Sequence, residues 1–205
     1  MSAQELDGVR QLRRGVLLLL LTPILALVAM IVVMIPLFVV APAPWYAMPP
    51  HRLALGYAVG LGLAVVLAAS MIMIVVLVLV ALAFSSLRQG FSTLSSAGRG
   101  GSVGSVGVIL VLVGVLIGLL GVALALFGGL MVSVVGLIVA AVGYVLIGVG
   151  LFEVGSSYGN GLLEAGGILV AIPTLLTGFI GLILSYVGLG EVESRVSSQQ
   201  PRQGT

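Results

Sequence analysis

Cysteine and lysine are absent from the 205 residues, histidine occurs once, as His51, and charged side chains make up only 7% of the chain. The first absence excludes disulfides, thiol catalysis and cysteine-ligated metals. A single histidine excludes a histidine-based metal cluster. Without lysine, the basic character (pI near 9.4) rests on eight arginines against six acids, which is no nucleic-acid footprint. A soluble domain carries roughly 25% charged residues, so water is not the solvent for most of this chain.

What is present is apolar. Hydrophobic residues make up 60% of the sequence and the mean hydropathy is +1.36. A membrane-spanning helix needs about 20 consecutive apolar residues. Five stretches qualify, at about 15–40, 53–84, 105–127, 130–152 and 166–189. The expected fold class is therefore all-α: a polytopic integral membrane helical bundle with about five transmembrane helices. Residues 1–14 form a polar amino-terminal segment, 15–189 one membrane domain, and 190–205 a polar tail expected to be disordered. Ala41-Pro42-Ala43 resembles a signal-peptidase site, but the apolar run before it is nearly twice the length of a signal h-region. It reads as a retained first span, with Pro23 and Pro36 as kinks. The loop from Ala41 to Arg52, with Trp45, Tyr46 and four prolines, reads as a membrane surface.

After the second span, Phe84, Leu87, Phe91 and Leu94 recur at helical spacing among polar residues, which reads as an amphipathic interfacial extension. The glycine- and serine-rich stretch 95–104 reads as a flexible linker. Arg10, Arg13 and Arg14 directly before the first span suit lipid headgroups and place the amino terminus in the cytoplasm. With five spans the carboxyl terminus would then lie outside.

The internal pattern is glycine at every seventh position: Gly107, Gly114, Gly121 and Gly128, then Gly129, Gly136, Gly143 and Gly150. Seven residues are nearly two helical turns, so each set forms a stripe on one helix face. Gly118 and Gly148 widen the stripes, and Gly128-Gly129 forces an antiparallel hairpin. In lipid, close backbone approach over small residues is a main source of helix association, so the stripes are expected to be packing seams in a glycine-striped central hairpin. The ring subunits of rotary ATPases also use such hairpins, but they carry a mid-membrane carboxylate, and here neither helix has one.

The richest polar stretch is Phe152 to Glu164. Glu153, Tyr158, Asn160 and Glu164 are its candidate site residues. The two carboxylates, Glu153 and Glu164, offer a divalent-cation pair or an acid and base. The structural alternative makes Asn160 the cap of the next helix and puts Glu164 in its first turn, where the helix dipole favours a carboxylate. No nucleophile with a base and no sufficient metal-ligand set accompanies them, so no catalytic residue, metal or cofactor is expected.

The succession Gly143-Tyr144, Gly148, Gly150-Leu151, Gly155, Tyr158, Leu162-Leu163 and Gly166-Gly167-Ile168-Leu169, with Gly90-Phe91 and Arg13-Arg14-Gly15 upstream, resembles an uncharacterised crenarchaeal membrane family, domain of unknown function nine hundred and seventy-three. The resemblance implies an archaeal plasma-membrane protein of about five or six helices. It supplies no activity and no site residues. The functional expectation is a non-enzymatic, multi-pass cell-membrane protein that packs, scaffolds or assembles. Its partners would be membrane lipids, membrane proteins or further copies of the chain, and not nucleic acid. The alternative is a passive pore or facilitator for a small neutral solute.

Overall fold

The structure, a computed structural model, describes residues 3–40, 51–124, 129–172 and 174–198. Among these it contains six helices and no strand: α1 (Ala3–Val40), α2 (His51–Ser96), α3 (Ser102–Ala123), α4 (Leu130–Tyr158), α5 (Gly161–Ala171) and α6 (Leu175–Ser198). The proline-rich loop expected to mark a membrane surface, and Gly128, lie outside the described residues except for His51 and Arg52. Two compact units are present, one of residues 1–20 with 82–205 and one of 21–81. The second unit comprises the later part of α1 and the earlier part of α2. It exposes apolar side chains such as Leu27 (61%) and Met71 (71%), as a lipid-facing helix does.

The first unit is assembled by helices whose backbones touch. In the α3–α4 hairpin, a methyl placed on Gly107 would lie 2.7 Å from the carbonyl of Gly143, and one on Gly143 would lie 2.5 Å from the amide of Val111. Methyls on Gly114 and Gly136 would strike the amides of Ala140 and Gly118, and one on Gly121 that of Ser133. Real Cβ atoms do not approach backbone this closely, so only glycine permits these crossings. Gly150 sits one crossing further along, against Gly104. Gly118 differs from its neighbours. Its own Cβ position is open, with nothing within 4 Å, so it contributes its backbone to the seam while its missing side chain points elsewhere. Gly148 also departs from expectation, because it faces α5 and not α3: a methyl placed on it would lie 2.5 Å from the amide of Ala171.

Three expected boundaries change. The apolar run 166–189 is not one helix. α5 ends at Ala171, Ile172 turns to an extended conformation (φ −84°, ψ 112°), and α6 starts at Leu175. In the sequence Pro173 falls between these two helices, and a proline lacks the amide that would continue a helix. α5 is 11 residues long, about 16 Å at 1.5 Å per residue, or roughly half a bilayer core. It packs antiparallel on both neighbours, with Gly155 against Glu164 and Gly167 against Phe152 on α4, and with Gly166 against Ser185 and Gly188 against Leu163 on α6. Secondly, the expected disordered tail is helical as far as Ser198, because Leu189, Val192 and Val196 are buried at the spacing of one helix face. Residues 199–205 lie outside the described set.

The third change concerns Phe84, Leu87, Phe91 and Leu94. These are core residues, between 0 and 5% exposed, and not an interfacial extension. Residues 3–20 of α1, expected to begin as a polar segment, form the helix that covers them. A methyl placed on Gly90 would lie 2.7 Å from the amide of Leu12, and one on Gly15 would lie 2.8 Å from that of Leu87. Phe91 fills the slot opened by Gly101, Gly104 and Gly150, its ring 2.7 Å from the Cβ position of Gly104.

Candidate functional site

The charged residues of the first unit gather where α1 begins, α2 and α4 end, α5 begins and α6 ends. The turn after α2 is their centre. It passes through Gly98, Gly100 and Gly101 at φ of 72°, 80° and 89°, the left-handed region in which glycine is free of Cβ strain. The stretch expected to be a flexible linker is thus a specified turn. It presents Arg99, whose Nε donates to the carboxylate of Glu5 at 2.7 Å, and whose guanidinium lies 5.2 Å from the centre of the Tyr158 ring. The hydrogen bond to Glu5 raises the Arg99 pKa against the opposing cost of burial, so the guanidinium stays charged.

Of the four candidate side chains, Glu153 accepts the Gly101 amide at 2.9 Å, and next to it Ser157 donates to the Arg99 carbonyl at 2.7 Å. Tyr158 stacks under Arg99, with its hydroxyl buried and, among the described residues, without a hydrogen-bond partner. Asn160, 2% exposed, caps α5 by accepting from the Leu163 amide at 2.9 Å and donates its own amide to Glu191 at 2.9 Å. Glu164 lies in the first turn of α5, half-buried beside Gly155. Among the described residues its carboxylate makes no hydrogen bond or ion pair. The two carboxylates therefore face different surroundings and do not share a partner. Among the described residues no group of three potential ligands assembles.

Sequence reasoning missed the other half of this edge. Glu193 of α6 accepts from Arg10 Nε at 3.0 Å and from the terminal nitrogen of Arg13 at 2.9 Å. Arg13 also lies over the Tyr186 ring at 4.7 Å and donates to its hydroxyl at 3.4 Å. Residues near both ends of the chain thus meet, which contradicts the expectation that they lie on opposite sides of a membrane. The signal was the pair of acids in a helix-compatible tail, Glu191 and Glu193, with no basic residue close before them in sequence.

Five helices among the described residues are long and apolar enough to cross a membrane, and the charged side chains of the described residues lie towards helix ends and in turns. These features define an α-helical membrane protein. The chain belongs to the DUF973 family: the model described as a protein of unknown function (DUF973) matches residues 5–205. No curated protein and no solved structure matches it.

Proposed function

We propose that the protein is a non-catalytic structural or assembly component of a cell membrane, the archaeal plasma membrane that the family resemblance implies. The observation that carries this reading is how the polar side chains are used. Glu5, Arg99, Glu153, Asn160, Glu191, Glu193, Arg10 and Arg13 each bind another helix or turn of the same chain. Their chemistry is spent on fastening helices. The glycine seams support the same reading, as contacts that hold a rigid centre, while the outward sides of α3 and α4 leave Leu116, Leu120, Met131 and Leu137 exposed for lipid or a partner helix.

In this reading α1 to α4 cross the membrane, while α5 enters from the polar edge to about half the depth and α6 returns. Arg10, Arg13, Arg14, Arg88, Arg99 and Arg195 then share one side, which the positive-inside rule makes cytoplasmic. Purification from the native membrane under mild detergent tests the role. Stoichiometric recovery of a membrane-protein partner or of a defined oligomer supports it, and recovery of a lone chain that turns over a substrate refutes it.

A second reading is favoured by the helix break. Thr174 and Thr177 place two hydroxyls 2.5 Å apart there, and Thr177 donates to the Ile172 carbonyl at 3.1 Å. Non-helical backbone at membrane depth is tolerated where protein covers it or water reaches it. A path for a small neutral solute would supply the water. Solute flux in reconstituted vesicles that Thr177→Val abolishes would favour this reading over the first.

A further inference from the structure

Arg10, Arg13 and Arg14 of α1, with Leu17, line a groove of about 270 Å³ with Tyr186 and Glu193 of α6. We propose that this groove binds the phosphate of an anionic membrane lipid. Three guanidiniums face a single carboxylate, leaving an excess of two positive charges (3 − 1) among the lining residues. Glu193 occupies one nitrogen each of Arg10 and Arg13. The other nitrogens of Arg10, and all of those of exposed Arg14, make no hydrogen bond among the described residues. A guanidinium fork matches the oxygens of a phosphate in geometry and charge.

Preorganisation favours binding here. Arg13 is held between Glu193 and the Tyr186 ring, so its rotamers are already restricted before the anion arrives. Depth identifies the source of the phosphate. Arg14 is the last charged residue before the apolar run that starts at Gly15, Leu17 belongs to that run, and Tyr186 lies three residues before the apolar stretch of α6 ends at Leu189. The groove straddles the level at which headgroup gives way to acyl chain, where tyrosine is enriched. A free phosphate would use the guanidiniums and leave the apolar side unoccupied, whereas a lipid satisfies both.

The test titrates the purified full chain in detergent with short-chain phosphatidylglycerol, short-chain phosphatidylcholine and inorganic phosphate, following thermal stability and lipid retained in native mass spectrometry. Phosphatidylglycerol should raise the unfolding temperature saturably and remain bound, while the zwitterionic lipid does neither at the same concentration. Arg14→Gln should weaken phosphatidylglycerol binding by about tenfold, the loss of one charge-assisted contact, whereas Arg88→Gln should change it by less than about twofold. Arg88 is an exposed control that lines a different groove with Gln11 and Gln89. Equal binding of phosphatidylcholine, an equal loss in Arg88→Gln, or unchanged affinity in Arg14→Gln and in the Arg10→Gln/Arg14→Gln double variant would overturn the proposal. Displacement of the lipid by inorganic phosphate at comparable concentration would overturn the lipid as the source.

Discussion

Arg13 in the first helix donates to Glu193 in the last across 2.9 Å, although 180 residues separate them. With Arg10 on the second carboxylate oxygen, one acid ties the start of the chain to its end. Both arginines are more than a third exposed and Glu193 is about a fifth exposed, so solvent screens the pairs. Glu193→Gln should therefore lower stability by no more than about 1 kcal/mol. The check is thermal unfolding in detergent at low and high salt, and the difference from the parent should shrink as salt rises.

The hairpin allows a sharper test with a single methyl. Gly136→Ala and Gly114→Ala each put a Cβ against backbone, on Gly118 and Ala140, whereas Gly118→Ala puts one into open space. The first two should cost about 1–3 kcal/mol through overpacking. The third should be neutral or stabilising by up to about 1 kcal/mol, because alanine restricts the unfolded chain. Unfolding temperatures of the three variants decide it, and equal tolerance would show that the glycines are not close-contact seams.

Among the described residues Phe91 is the largest fully buried side chain, and it joins α2 to α3 and α4 through the gap above Gly104. Phe91→Ala should cost about 3–5 kcal/mol. Gly104→Leu should be comparably damaging, because its side chain would claim the same space. Urea or thermal unfolding of Phe91→Ala beside Phe152→Ala, whose ring is 39% exposed, separates core from surface.

Glu153 accepts a backbone amide from a turn held by three glycines at positive φ. Glu153→Ala removes that acceptor and should cost about 1.5–3 kcal/mol, while Glu153→Gln keeps a neutral oxygen and should cost less. Glu164, without such a bond, should tolerate Gln to within about 1 kcal/mol. Parallel melts of the three variants check the ranking. A metal that co-purifies with the parent and is lost from both glutamine variants would instead make these acids a site.

Much of the architecture was legible because membrane helices announce themselves by length: runs of apolar residues marked α1 to α4 to within a few turns. The family was legible in glycine and aliphatic positions from Arg13 to Leu169. The role of Asn160 as a cap was legible too, since its chemistry is local. The burial of Phe91 was not, because a stripe at spacings of three and four looks the same whether it meets lipid or another helix. The split of the last apolar run was marked only by Pro173, which membrane helices often tolerate as a kink. The partners of Glu5, Glu191 and Glu193 were invisible, because each lies in a separate helix or turn and sequence spacing carries no trace of which ends meet.

If the polar edge fastens residues near both ends of the chain on one side of the membrane, cysteine accessibility will show it. The sequence contains no cysteine, so Asp7→Cys and Ser197→Cys, both at exposed positions, each supply a single label site. In intact, right-side-out cells or vesicles, a membrane-impermeant maleimide should leave both unlabelled until the membrane is opened. Labelling of one and protection of the other in the intact membrane would place the two ends on opposite sides and rule this arrangement out.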